Sequence, residues 1–227
     1  MCGRYTLYDA SVIPERFQTR ALPESYHLHD SYNVSPGQML PVIVQTDYGR
    51  TIEIMKWGFV PVWAHNQDTA YRMINARAEN IFDKPAWRGP IKHHRCLVPA
   101  SGFYEWLGRP KVHAKRPFYI FPKDGKLLAF AGVYDTWHND AGDEVWSYAI
   151  VTTQASATVA IVHDRMPVIL SPAHWRIWLN GTVQDRGTLM ALLQPYSNSK
   201  LALYEVSTDV NVVKNNDRHL VYPLPRS

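Results

Sequence analysis

Short apolar runs, broken often by turn residues, set the pattern along this chain. Residues 40–46 (LPVIVQT) read as one strand. In residues 51–57 (TIEIMKW), Ile52, Ile54 and Lys56 alternate against Thr51, Glu53, Met55 and Trp57. That two-residue period, across a turn at Asp47-Tyr48-Gly49, predicts the partner strand of a hairpin. Further β-rich runs are RCLVPA, GFYEWL, PFYIF, LLAFAGVY and VWSYAIVTT, with Asp124-Gly125 and Asn139-Asp140-Ala141-Gly142 as hairpin turns between pairs of them. Helical signals are fewer. Ser171-Pro172 before AHWRIWLN combines an N-cap residue, a first-turn proline and an amphipathic stretch. TLMALLQ, VIPERF and ATVAIV predict three shorter helices. Strands dominate the centre and do not alternate with helices as a parallel α/β fold requires. The expectation is one α+β domain over residues 1–227, with an antiparallel, barrel-like β core and peripheral helices.

Composition narrows the class. No repeat, low-complexity tract or Gly/Ser linker divides the 227 residues, and 46% hydrophobic content excludes a disordered chain. Two cysteines, Cys2 and Cys96, exclude a disulfide scaffold. No apolar run nears the roughly 20 residues of a membrane span, and the N-terminus has no apolar signal core. A cytoplasmic protein without a membrane partner is expected. The net charge of +4 permits a polyanionic partner without demanding one.

Cys2 carries the most chemistry. Removal of Met1 would leave an N-terminal cysteine, with an amine and a thiol on adjacent carbons. Their ordinary pKa values are about 7.7–8.0 and about 8.5, and a nearby cation such as Arg4 would lower either. Such a 1,2-aminothiol attacks amides or esters, or condenses with an aldehyde and closes a five-membered thiazolidine. Asn75, Arg77 and Glu79 alternate along NARAE, so an extended segment would place them on one face. Glu105 lies among aromatics in GFYEW, a setting that raises a carboxyl pKa and suits it to proton transfer. His163-Asp164-Arg165 places a proton shuttle and a phosphate-binding cation between two apolar runs. His93-His94 lacks a third ligand at metal-binding spacing, and no Walker loop or GxGxxG is present, so neither a metal nor a nucleotide cofactor is expected.

In order, the segments are MCGR, YNVSPG (32–37), WGFVP (57–61), NARAE (75–79), GFYEW (102–106) and HDRMP (163–167). Together they resemble the SOS-response-associated peptidase family, whose members process abasic sites in single-stranded DNA. The likeness runs to about Leu170, and Val212, Lys214, Asn215 and Asn216 match the family's closing strand. Trp63 stands alone where some members carry two tryptophans. The resemblance implies a reversible covalent link between Cys2 and the abasic aldehyde after loss of Met1, by self-removal or by an aminopeptidase. It implies that His163 assists sugar-ring opening, that Glu105 moves protons, and that Asn75 holds the intermediate or the N-terminus. It casts Arg4, Arg77 and Arg165 as phosphate clamps, with Asn33 and Trp63 as weaker DNA contacts. The implied protein is a cofactor-free monomer, associated with the nucleoid when bound to DNA. Two alternatives stand beside this reading. An N-terminal-nucleophile amidohydrolase or glutamine amidotransferase would use Cys2 on an amide and release ammonia. A non-catalytic single-stranded DNA-binding module would bind intact and abasic strands alike.

Overall fold

The computed structural model describes residues 2–20, 29–108, 115–139 and 141–225, the side chain of Thr69 excepted. Its strands, in chain order, are β1 (Tyr5–Leu7), β2 (Ser31–Val34), β3 (Met39–Thr46), β4 (Gly49–Trp57), β5 (Asn75–Arg77), β6 (Arg95–Ala100), β7 (Gly102–Leu107), β8 (Arg116–Pro122), β9 (Leu128–His138), β10 (Glu144–Gln154), β11 (Arg165–Pro167) and β12 (Leu201–Glu205). The α-helices among the described residues are short: α1 (Ile13–Phe17), α2 (Pro90–His93), α3 (Ala157–Ala160), α4 (Pro172–Leu179) and α5 (Arg186–Leu192). The expected hairpin forms, in register from Met39↔Lys56 to Thr46↔Gly49.

Five strands close on themselves. The ring runs β10-β4-β3-β6-β9 and returns to β10 through the β9–β10 hairpin. Closure removes the exposed strand edges that an open sheet would present. It needs one parallel pairing, Ser147↔Lys56 and Tyr148↔Trp57 between β10 and β4. β5 also lies parallel to β10, with Asn75↔Ile150 and Thr152↔Arg77 in register. The core is therefore barrel-like as expected but not wholly antiparallel. One flank of β10 carries its hairpin partner β9 and then β11, and β4 and β5 cover the other.

A second, antiparallel sheet has the order β12-β8-β7-β1-β2. Tyr5 of β1 meets Trp57 and Phe130 edge-on at centroid distances of 5.0 and 6.1 Å, and Phe103 of β7 meets Phe130 at 5.9 Å. These contacts pack the sheet on the barrel. A smaller apolar cluster of Tyr104, Tyr119, Val206, Val210, Leu220 and Val221 is buried beside it. Gly102 is required at the start of β7, because a Cβ there would lie 2.5 Å from the Tyr119 ring.

Two expectations are corrected. Asp124-Gly125 joins β8 to β9, which belong to different sheets, so it is a crossover and not a hairpin turn. β8 already has β7 and β12 at its edges, while β9 has β6 and β10. Residues 212–216 form a turn and loop, and the last strand among the described residues is β12. The Asn139-Gly142 turn does join paired strands, although Asp140 lies outside the described residues.

Candidate functional site

The N-terminal segment enters β1 between β2 and β7. The pairing with β7 continues outward, because the Tyr104 amide donates to the Arg4 carbonyl at 3.0 Å. This continuation brings Cys2 beside Glu105. Cys2 is fully buried. Burial pushes its thiol pKa up, and the negative charge of Glu105 adds to the rise. Burial thus decides the direction, and the Arg4 guanidinium is turned toward Asn33 and the Val210 carbonyl.

Asn75 reaches the same point from β5, whose pairing with β10 holds it. Its Nδ2 donates to the Cys2 carbonyl at 2.9 Å. Its Oδ1 is buried and has no acceptor role filled among the described residues. Glu105 is 2% exposed, and burial pushes its pKa up to about 7. His163 follows α3 and faces Glu105, with Nε2 3.9 Å from Oε2. Its Nδ1 accepts the Arg165 backbone N–H at 2.9 Å when the ring is neutral, and lies 3.0 Å from the Asp164 carboxylate. Burial lowers the His163 pKa, favouring that neutral form.

The expected DNA contacts divide sharply. Arg77 and Trp63 are exposed, Trp63 at 61%, and line a groove of about 440 Å³ with Asn75, Lys84 and Trp87. Asn33, expected as a weaker DNA contact, is buried at 1% exposure. Its Nδ2 donates to the carbonyls of Val210, Val212 and Asn215. The Arg4 guanidinium donates to Asn33 Oδ1 at 2.7 Å and to the Val210 carbonyl at 2.8 Å, so it ties the N-terminal segment to the C-terminal loop. Arg165 is paired with Glu79 and also donates to the Thr152 carbonyl at 2.8 Å. The shared extended face of Asn75, Arg77 and Glu79 ends at Arg77, because Ala78–Asn80 is a 3₁₀ turn.

The family's sequence profile, described as SOS response associated peptidase (SRAP), matches residues 1–213. The chain belongs to the SRAP family. It is 40% identical to the abasic site processing protein YoqW of Bacillus subtilis, over 97% of this chain and 99% of that one. It is 32% identical to the abasic site processing protein HMCES of Gallus gallus, over 99% of this chain and 78% of that one. A crystal structure of a Bacteroides thetaiotaomicron protein superposes with a TM-score of 0.85 at 28% identity, covering 99% of this chain and 100% of the other.

Several features of this SRAP site escaped the sequence reading. The buried hydroxyls of Tyr5 and Tyr148 are 2.9 Å apart near Cys2, in strands distant along the chain. Thr152 and Trp87 also contribute, and neither stands in a motif that signals chemistry. No group of three or more His, Cys, Asp or Glu side chains placed to hold a metal occurs among the described residues. No described helix is long and apolar enough to cross a membrane.

Proposed function

We propose that this SRAP chain binds abasic sites in single-stranded DNA and captures them covalently through Cys2. The convergence of Cys2, Asn75, Glu105 and His163 carries the reading. It has the parts aldehyde capture needs: a nucleophile, a hydrogen-bonding clamp and two proton carriers. The relatives' names as abasic site processing proteins support the substrate class.

Hydrolysis of the Met1–Cys2 peptide bond, by the chain itself or by an aminopeptidase, releases methionine and exposes the Cys2 amine. The abasic sugar opens from its hemiacetal to the aldehyde, with His163 assisting proton transfer to the ring oxygen. The amine adds to the aldehyde carbon and water leaves, giving an imine. The thiol then adds across the C=N bond: sulfur bonds to carbon, and its proton reaches nitrogen. The product is a thiazolidine. It lacks the imine that would act as electron sink for β-elimination and strand breakage, so the lesion is shielded.

A carboxyl with a pKa near 7 is present in both protonation states at neutral pH. Glu105 can therefore protonate the departing hydroxyl and later help the thiol lose its proton. The same group serves ring reopening and hydrolysis of the imine in reverse. The groove between Trp63 and Arg77 takes the strand beside the lesion, with the indole stacking on a base and the guanidinium on a phosphate.

Intact mass after mixing with an abasic oligonucleotide tests the proposal. The expected product has the mass of protein without Met1 plus oligonucleotide minus one water. Cys2→Ala should give no heat-stable adduct, and Cys96→Ala should cross-link normally. A heat-stable Cys2→Ala adduct would refute thiazolidine formation. Ammonia release from glutamine with no DNA adduct would instead identify an amidohydrolase.

A further inference from the structure

Glu79 and Arg165 face each other across the end of β10. β11 pairs with one edge there, through Gln154↔Arg165. β5 pairs with the other, through Thr152↔Arg77, and Glu79 follows in the 3₁₀ turn. Two guanidinium nitrogens of Arg165 meet the two carboxylate oxygens of Glu79, with Nη2 3.0 Å from Oε2. The same Nη2 donates to the Thr152 carbonyl at 2.8 Å and lies 3.2 Å from its hydroxyl.

The guanidinium thus has two supports of different kinds. Thr152 is buried and belongs to the barrel. Glu79 is an outer support, its side chain 47% exposed against 13% for Arg165. The Arg165 Nε is buried and has no acceptor among the described residues. The hydrogen bond from Arg165 is the main cause holding the Glu79 carboxyl below its usual range, and the positive charge of Arg77 contributes. Glu79 is therefore an anion at neutral pH. A planar oxyanion held by a forked guanidinium, with a second cation nearby, has the recognition geometry of a phosphodiester.

We infer that Glu79 stands in for a DNA backbone phosphate: it fills the Arg165 fork in the free protein and gives way when a strand binds. The inference rests on the DNA-binding reading above. It makes Glu79 a built-in competitor of the strand that sets affinity, with no part in bond formation at Cys2. Because Thr152 holds the guanidinium independently, loss of the Glu79 charge should leave Arg165 in place and available. Without the competitor, a phosphate would meet Arg165 directly.

The test measures binding of the full chain to a labelled, unlesioned single strand across a salt series. The proteins are wild type, Glu79→Gln, Arg165→Gln and the double variant, with thermal midpoints to check folding. Glu79→Gln should bind about three- to tenfold more tightly at about 0.1 M salt. Its log–log salt slope should match that of wild type, because Arg165 meets the same phosphate in both complexes. In the Arg165→Gln background the same change should gain less than about twofold. Weaker or unchanged binding by Glu79→Gln overturns the inference. So does an equal gain in both backgrounds, which would reflect general charge repulsion. A parallel reaction of wild type with an abasic oligonucleotide separates the two readings. Failure to bind or cross-link removes the DNA reading itself, whereas normal cross-linking with no Glu79 effect removes only this inference.

Discussion

Glu105 shows how burial makes an ordinary carboxyl useful. Its pKa is raised from 4.5 to about 7, chiefly by loss of solvent. The folded state therefore retains a proton that the unfolded state has lost, and stability falls as pH rises through that interval. The contribution is fully present below about 4.5 and lost above about 7. Glu105→Gln removes the titration, so its thermal midpoint should gain on wild type between pH 5 and pH 8. A constant difference across that range would contradict the raised pKa. The same variant should form the adduct at least about tenfold more slowly on an abasic oligonucleotide, because general acid–base help is typically worth about 10²–10⁴-fold. Wild-type rates would leave the proton transfers to His163.

Arg95 matters to the elements around it. It is 3% exposed and donates to carbonyls of Ile91, Lys92, Trp178, Asn180 and Val183. One guanidinium thus satisfies the C-terminal ends of α2 and α4 and the loop after α4, where helices leave carbonyls without intrahelical partners. Burial lowers its pKa to about 10, still charged at neutral pH. Lysine has no planar fork with which to span these acceptors. Arg95→Lys should cost at least about 2 kcal/mol, since each buried unsatisfied polar group costs about 1–3 kcal/mol. Urea denaturation followed by circular dichroism measures it, and a loss below about 0.5 kcal/mol would deny the hub role. Ser171, Pro172 and the amphipathic stretch after them made α4 readable beforehand. The role of Arg95 was not readable, because its acceptors are backbone atoms from separate segments.

Across the whole molecule, the excess of four positive charges is modest, so binding a polyanion depends on where the cations sit. Arg77 is exposed beside Trp63, whereas Arg4, Arg95 and Arg165 have protein partners. Arg77→Ala should weaken single-strand binding and make the salt slope shallower by about 0.7. The loss should be equal for abasic and intact strands, because a phosphate carries no lesion information. An unchanged slope would place the backbone contact elsewhere.

The local pattern by itself determined most strands, the α4 helix and the candidacy of Cys2, Asn75, Glu105 and His163. Periodicity, turn chemistry and residue type are local, and they survive in one dimension. Barrel closure, the parallel pairings of β10 and the crossover at Asp124-Gly125 depend on which strand edges remain open after others pair. Burial did the rest. It turned Asn33 into a scaffold residue and raised the Cys2 thiol against the expectation set by Arg4. The turn at residues 78–80 likewise swung Glu79 onto Arg165. Each of these outcomes depends on neighbours supplied by distant parts of the chain, so only the tertiary structure could decide it.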